Sequence, residues 1–406
     1  MSLNETPSSE RVHIGFFGLR NAGKSSLVNA VTGQELSVVS DVRGTTTDPV
    51  RKAMELLPIG PVLIIDTPGY DDEGELGELR VKKTKEILAK TDVAVLAADS
   101  REPLSALDNE LISAFREGNI PYVVAYTKSD LVSERKTTGA NEIYVSAKTG
   151  ENINELKELI AGTAKVSVSE KHIVSDILPR GGTVVLVIPI DGSAPKGRLI
   201  LPQQQTLRDL LDPHCCAVCC QPEELSSVLD NLKKRPELVI TDSQAFGTVS
   251  KTVPDDIPLT SFSILFARYK GDLAELVKGA AALERLDDGD SVLISEGCTH
   301  HRQCNDIGTV KMPGWIESFS GVRPDFSFTS GGEFPDDLSG YKLIVHCGGC
   351  MLNEKEMHSR IDRAKKAGVP IVNYGVAIAH MHGILKRSLT PFPDILRLLA
   401  AYGGGG

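Results

Sequence analysis

The chain has 406 residues, of which 41% are apolar and 24% charged, and its net charge is −10. This is ordinary globular composition for two or three domains, and the acidic balance argues against nonspecific nucleic-acid binding. No run of about 18 apolar residues is present to span a membrane. Eight cysteines in so long a chain fit a reducing cytoplasm, with some thiols on metal, better than a secreted disulfide scaffold. Residues 1–10 are polar and lack an apolar signal core. The closing glycines, 403–406, read as a tail without function.

Residues 1–163 read as a first α/β domain. A strand, Val12–Phe17, runs into Gly18-Leu19-Arg20-Asn21-Ala22-Gly23-Lys24-Ser25, and a helix follows through Leu27 and Val31. Gly-x4-Gly-Lys-Ser between strand and helix is the context of a phosphate loop. Backbone N–H groups and the helix N-terminus cradle the phosphates. Lys24 is expected to neutralise the β- and γ-phosphates, and the Ser25 hydroxyl to hold Mg²⁺. Residues 43–48, Arg-Gly-Thr-Thr-Thr-Asp, look like a switch whose Thr46 closes on Mg²⁺ in the triphosphate state. A strand over 62–65 ends in Asp66-Thr67-Pro68-Gly69. Asp66 is placed to hold the Mg²⁺ shell and the Gly69 amide to sense a γ-phosphate. Two further strands lead into Thr127-Lys128-Ser129-Asp130 and Ser146-Ala147-Lys148, and a helix carrying Ile153, Leu156, Leu159 and Ile160 closes the domain.

The last two loops resemble the guanine-reading loops of small GTPases. The resemblance implies that Asp130 accepts hydrogen bonds from the guanine edge, that Lys128 stacks on the base, and that the Ser146-Ala147 backbone meets its carbonyl. It implies a GTP/GDP-binding set of Gly18, Asn21, Ala22, Gly23, Lys24, Ser25, Ser26, Thr46, Asp66, Gly69, Thr127, Lys128, Asp130, Ser146, Ala147 and Lys148. Thr127 stands where that family usually has Asn, whose amide ties the loop to the phosphate loop, so weaker nucleotide affinity is expected. Gly-Thr-Thr-Thr-Asp after the phosphate loop is similar to the tRNA-modification and ribosome-assembly branch. There, an Asn at the place of Asn21 helps bind K⁺, which implies K⁺-stimulated hydrolysis. Tyr70 sits where many GTPases keep a water-orienting Gln, so slow hydrolysis is expected.

Residues 164–254 read as a small α/β unit. Strands are expected over 183–190 and 237–241 and helices over 203–211 and 223–234. Between the helices lies His214-Cys215-Cys216-Ala217-Val218-Cys219-Cys220. Neighbours in a strand point to opposite faces, so these thiols read as a core strand rather than a metal site.

Residues 255–406 read as a parallel α/β domain, with strands expected over 263–267, 291–295, 343–345 and 370–373. Helices with Leu273/Leu276/Val277 and Ile361/Ala364/Ala367 lie between them. Cys298-Thr299-His300 follows one strand and His346-Cys347-Gly348-Gly349-Cys350 ends another. Ligands of open α/β sheets bind beyond the carboxyl ends of the strands. Three thiolates and two imidazoles there suit zinc or an iron–sulfur cluster. A loop at Asn373-Tyr374-Gly375 is expected on the same edge. Cys304 is a spare thiol, and His358, His380 and His382 read as surface or core residues.

A GTPase of this branch, then a small α/β unit, then Cys-x-His and His-Cys-x-x-Cys, resembles over its whole length the HydF family of [FeFe]-hydrogenase maturation GTPases. The resemblance implies a [4Fe–4S] cluster on Cys298, Cys347 and Cys350, with an exchangeable fourth position near His300 or His346. It implies a homodimer paired through the middle unit. It also implies a scaffold that takes a diiron precursor from the radical-SAM maturases HydE and HydG and delivers it to apo-hydrogenase. A ribosome- or tRNA-associated GTPase with structural zinc is the alternative, disfavoured by the lack of a basic RNA-binding stretch. A redox or radical enzyme is disfavoured by the lack of Cys-x3-Cys-x2-Cys.

Overall fold

The computed structural model describes residues 7–33, 50–57, 59–67, 84–135, 138–165, 171–190, 199–297 and 307–402. The chain forms two compact units, Met1–Glu170 and Lys171–Gly406.

The first unit is built on a six-stranded sheet: β1 (Val12–Phe17), β2 (Val50–Leu56), β3 (Gly60–Asp66), β4 (Val93–Asp99), β5 (Tyr122–Thr127) and β6 (Glu142–Tyr144). The order is β2-β3-β1-β4-β5-β6. The central strands are apolar at successive positions because both faces are covered. Alternation divides them. Ile14, Phe16, Val93 and Val95 pack with Leu27 and Leu156 on one face, while Phe17, Ala94 and Leu96 pack with Leu111 and Phe115 on the other. The sheet is mixed rather than wholly parallel, because β2 runs antiparallel to β3. Only residues 57–59 separate those strands, and a parallel pair needs a crossover of about a dozen residues.

The second unit holds two four-stranded parallel sheets. One contains β7 (Thr183–Val187), β8 (Cys216–Cys220), β9 (Leu238–Thr241) and β10 (Leu259–Ser261), in the order β10-β9-β7-β8. The other contains β11 (Ser291–Glu296), β12 (Asp325–Ser330), β13 (Leu343–His346) and β14 (Ile371–Asn373), in the order β12-β11-β13-β14. One apolar core joins them, running from Val185 and Ile240 through Leu265 and Leu276 to Ile294 and Val345.

Several elements differ from expectation. Residues 263–267 are not a strand but lie inside the helix Phe262–Lys270. The Ser261 side chain caps that helix, accepting from the Ile264 amide at 3.2 Å. A short run that is apolar all round fits a buried helix as well as a strand, and here the strand is the preceding Leu259–Ser261. Tyr374 and Gly375 are not a loop: Asn373 ends β14 and caps the helix Tyr374–Met381, its Oδ1 accepting from Val376 at 2.9 Å. The cysteine run does form a strand, β8, but at the sheet edge. Cys216 and Cys219 are exposed and only Cys215 is buried. Burial, reinforced by Glu224, pushes the Cys220 thiol up to about 11, so it stays protonated at neutral pH. Strand β12 went unrecognised because its polar alternation, Asp-Phe-Ser-Phe-Thr-Ser, suits a half-exposed edge.

The helix Leu273–Ala280 crosses β14 at Gly279. A Cβ there would come within 2.6 Å of the Ile371 carbonyl carbon and closer still to its oxygen. Backbone cannot step aside as a side-chain tip can. Gly279→Ala is therefore expected to cost about 1–3 kcal/mol. The reporter is fluorescence of Trp315, the single tryptophan, which packs on this core. An unchanged urea midpoint would show that the crossing yields freely.

Candidate nucleotide and metal sites

In the first unit the phosphate loop leaves β1, Asp66 ends β3, and Thr127 ends β5. Parallel pairing sets Phe16 beside Asp66 and Asp99 beside Thr127, so all three open on one edge. Lys24 begins the helix Lys24–Thr32, with Ser25 and Ser26 in its first turn. The Lys24 ammonium is ion-paired with Asp66, and both groups are buried. Ser25 Oγ donates to the other Asp66 oxygen at 3.0 Å. Two of the three expected Mg²⁺ groups, Ser25 and Asp66, are therefore already side by side. At Gly18 a Cβ would strike the Ala97 carbonyl. Asn21 has a φ of 60°, a left-handed conformation that Asn tolerates better than most residues.

Thr127 does what was expected to be lost with Asn. Its hydroxyl reaches the Ala22 carbonyl of the phosphate loop, with the Ala98 carbonyl 3.1 Å away as a second acceptor. Lys128 donates to the Asn21 carbonyl at 2.6 Å and to Asp99 Oδ2 at 2.8 Å. Arg101 grips the same carboxylate in two-pronged fashion, at 2.9 and 2.7 Å. These bonds, Arg101 first and Lys128 after it, hold Asp99 well below the usual carboxylate range. Asp99 and Arg101 escaped sequence reading, although Asp99 ends a strand on the edge where ligands belong. Asp130 accepts from buried Ser146 Oγ at 2.6 Å, which lowers its pKa and ties together the two loops expected to read guanine. Ala147 is half-buried beside Ser146, and Lys148 is exposed.

In the second unit β11 and β13 pair in parallel, Ser295 opposite His346, so the two cysteine-bearing segments leave the sheet at one edge. The Cys347 sulfur is buried and accepts the Gly297 amide at 2.9 Å and the Gly349 amide at 3.4 Å. A Cβ at Gly297 would lie 2.7 Å from Leu352, and one at Gly349 would lie 2.6 Å from the Met357 sulfur. The glycines thus let backbone close around the sulfur. Two amide donors suit a thiolate better than a thiol, which is only a weak acceptor. The donor set fits a metal-bound cysteine.

Cys350 is half-buried. Burial raises its pKa, and the nearby Lys270 charge opposes the rise. A metal ion deprotonates such a thiol on binding. Lys270, itself buried, donates to the Cys350 and Leu352 carbonyls at 3.4 and 3.2 Å. His346 is fully buried, and both its ring nitrogens are engaged: Nδ1 meets the Cys347 carbonyl at 2.7 Å and Nε2 meets Arg360 at 3.0 Å. Burial first, then the Arg360 charge, push its pKa down to about 3.

Thr46, Gly69 and Tyr70 lie outside the described residues, as do Cys298, His300 and Cys304. Among the described residues no three His, Cys, Asp or Glu side chains gather closely enough to hold a metal ion. His358 pairs with Glu354 on its own helix, and His380 pairs with Glu284.

Comparison with known families separates the two units. Residues 13–128 match the model of the 50S ribosome-binding GTPases. Residues 173–271 match the hydrogen maturase F dimerization domain, and 274–391 its tetramerization domain. The chain belongs to the hydrogen maturase F family. Its first unit is a GTPase domain. GTPase Der of Wolinella succinogenes is 35% identical over 174 residues, covering 39% of this chain and 36% of that protein. The tRNA modification GTPase MnmE of Legionella pneumophila is 36% identical over 146 residues, covering 35% and 32%. The chain thus spans about a third of the length of the curated relatives it matches. Among solved structures, Aquifex aeolicus Era aligns over 80% of this chain and 94% of that one, at a TM-score of 0.34 and 18% identity. No described helix is long and apolar enough to cross a membrane.

Thr127→Val keeps the volume but removes the hydroxyl. One lost hydrogen bond of about 0.5–1.5 kcal/mol should weaken GDP binding by roughly 2- to 12-fold. Calorimetric titration checks this, and an unchanged affinity would show that the link to Ala22 contributes nothing.

Proposed function

We propose that this chain is a slow, K⁺-stimulated GTPase that acts as a carrier in [FeFe]-hydrogenase maturation. In this reading residues 1–163 are the switch, 164–254 pair two chains into a homodimer, and 255–406 hold a [4Fe–4S] cluster on Cys298, Cys347 and Cys350. The cargo is a diiron precursor, received from HydE and HydG and passed to the apo-hydrogenase in the cytoplasm, without nucleic acid or membrane. The observation that supports it most is the Cys347 sulfur, held by two amides where β11 and β13 leave a common edge.

When bound, the cluster supplies an iron with one exchangeable position, which a carrier needs because its cargo must leave. Both His346 nitrogens are engaged, which supports His300 rather than His346 as the residue beside that position. In the switch, GTP phosphates compete with Asp66 for Lys24. The carboxylate is thereby released to hold the Mg²⁺ shell with Ser25. Thr46 and Gly69 then report the γ-phosphate, and Asn21 helps hold K⁺. Asp130 rejects adenine, whose edge lacks the paired donors of guanine. The GTP state gates the partners through the switch segments.

Anaerobic reconstitution with iron and sulfide tests the cluster. About four irons per chain, with an EPR signal altered by an added small ligand, is the expected result. Binding of about one zinc with refusal of iron would leave a GTPase with a structural metal instead. Cys347→Ser or Cys350→Ser should lose iron and hydrogenase activation while GTP hydrolysis persists. Lys24→Ala should keep its iron but lose GTP hydrolysis and, with it, hydrogenase activation; full maturation activity in that variant would remove GTP from the process. Equal hydrolysis rates in K⁺ and Na⁺ would remove the role given to Asn21.

A further inference from the structure

Arg360 lies mid-way along the helix Glu354–Ala367 and is 2% exposed. It shares the buried face with Met357, Ile361 and Ala364, where a helix ordinarily carries apolar residues. Its Nη1 donates to His346 Nε2 at 3.0 Å and to Ser295 Oγ at 3.3 Å. Its Nη2 donates to the Gly331 carbonyl at 2.7 Å and to Glu356 Oε1 at 3.0 Å. The guanidinium also lies 5.2 Å from the centre of the Phe334 ring. One side chain therefore clips the carboxyl ends of β11 and β13 and the residue just past β12.

The arrangement settles the state of His346. A guanidinium has only donors and keeps its charge at any ordinary pH. The nitrogen facing it, Nε2, must offer a lone pair. Nδ1 then carries the proton and donates to the Cys347 carbonyl. Charge is the second consequence. Replacing a buried ion pair with apolar side chains is often neutral or stabilising. Arg360 and Glu356 are a costly way merely to hold a helix on a sheet. Lys270 adds a second buried cation, bonded to the carbonyl of Cys350 at the end of the same turn and to that of Leu352 just past it.

We propose that Arg360 is a positioning residue for the cluster: through His346 it sets the Cys347 turn, withholds that imidazole from iron, and places buried positive charge that favours the reduced cluster. This rests on the cluster reading above. Its neighbour Glu356 opposes it in sign and sits on the same guanidinium.

The experiment is a dithionite titration of the full-length reconstituted protein, followed by EPR, with Arg360→Gln, Arg360→Lys and Glu356→Gln. Arg360→Gln is expected to keep its iron while its midpoint potential moves more negative. Glu356→Gln keeps its shape and loses only its charge, so its potential moves more positive. Arg360→Lys restores most of the Arg360→Gln shift. Loosening of the fold cannot move two neighbouring variants in opposite directions. Potentials that stay at the wild-type value, or move the same way, overturn the proposal. If Arg360→Gln takes up no iron, Glu356→Gln decides alone: a positive shift supports the proposal and no shift overturns it. A wild-type chain that refuses iron removes the cluster reading itself. Wild-type loading with unmoved potentials removes only the role of Arg360.

Discussion

Parallel strands cannot be joined by a tight turn; each needs a crossover, usually a helix, that returns the chain to the starting edge. Every strand in such a sheet therefore releases its chain at the same side, and the loops there are free to carry chemistry. Both sites depend on this. In the first unit it brings Asp66, the phosphate loop and Thr127 together from three separate strands. In the second it aligns Ser295, His346 and Asn373 across β11, β13 and β14. The Cys347 sulfur meets the Gly297 amide only because those strand ends are in register.

Buried charge is the second feature that the sites share. Lys24 and Asp66 are paired out of water, whereas Asp99, nearer the surface, is clasped by Arg101 and Lys128. Arg360 and Glu356 are likewise paired out of water. Charges that leave water need compensation at short range, and an ion that loses its partner becomes strongly destabilising. Such pairs are also prepared for exchange. A phosphate or a metal ion can take over one member, so stability and ligand affinity draw on the same electrostatics.

Much of this was legible beforehand. Gly18 to Ser25 between a strand and a helix, Asp66 at a strand end, and the buried strands ahead of Cys298 and Cys347 were readable from residue type and spacing. Strand β8 was recognised at its cysteines, since neighbouring residues of a strand diverge. Residues 263–267 misled because an apolar run without polar relief has no period. Whether it winds or extends depends on the Ser261 cap and on what covers it. Strand β12 was missed for the opposite reason, because an edge strand needs few apolar residues.

What the sequence determined by itself was the set of local devices: a phosphate loop, two loops that resemble base-reading ones, and two groups of residues of metal-ligand type behind strands. Short spacing dictates these, since backbone geometry alone joins their parts. Only the tertiary structure decided how the parts are held. Thr127 replaces an Asn by reaching Ala22, 105 residues away in the chain. His346 is turned from a candidate ligand into a buried donor–acceptor link by Arg360, one residue of a helix whose own pattern reads as packing. Such contacts depend on which faces meet when helices cover the sheet, and residue spacing along the chain does not record it.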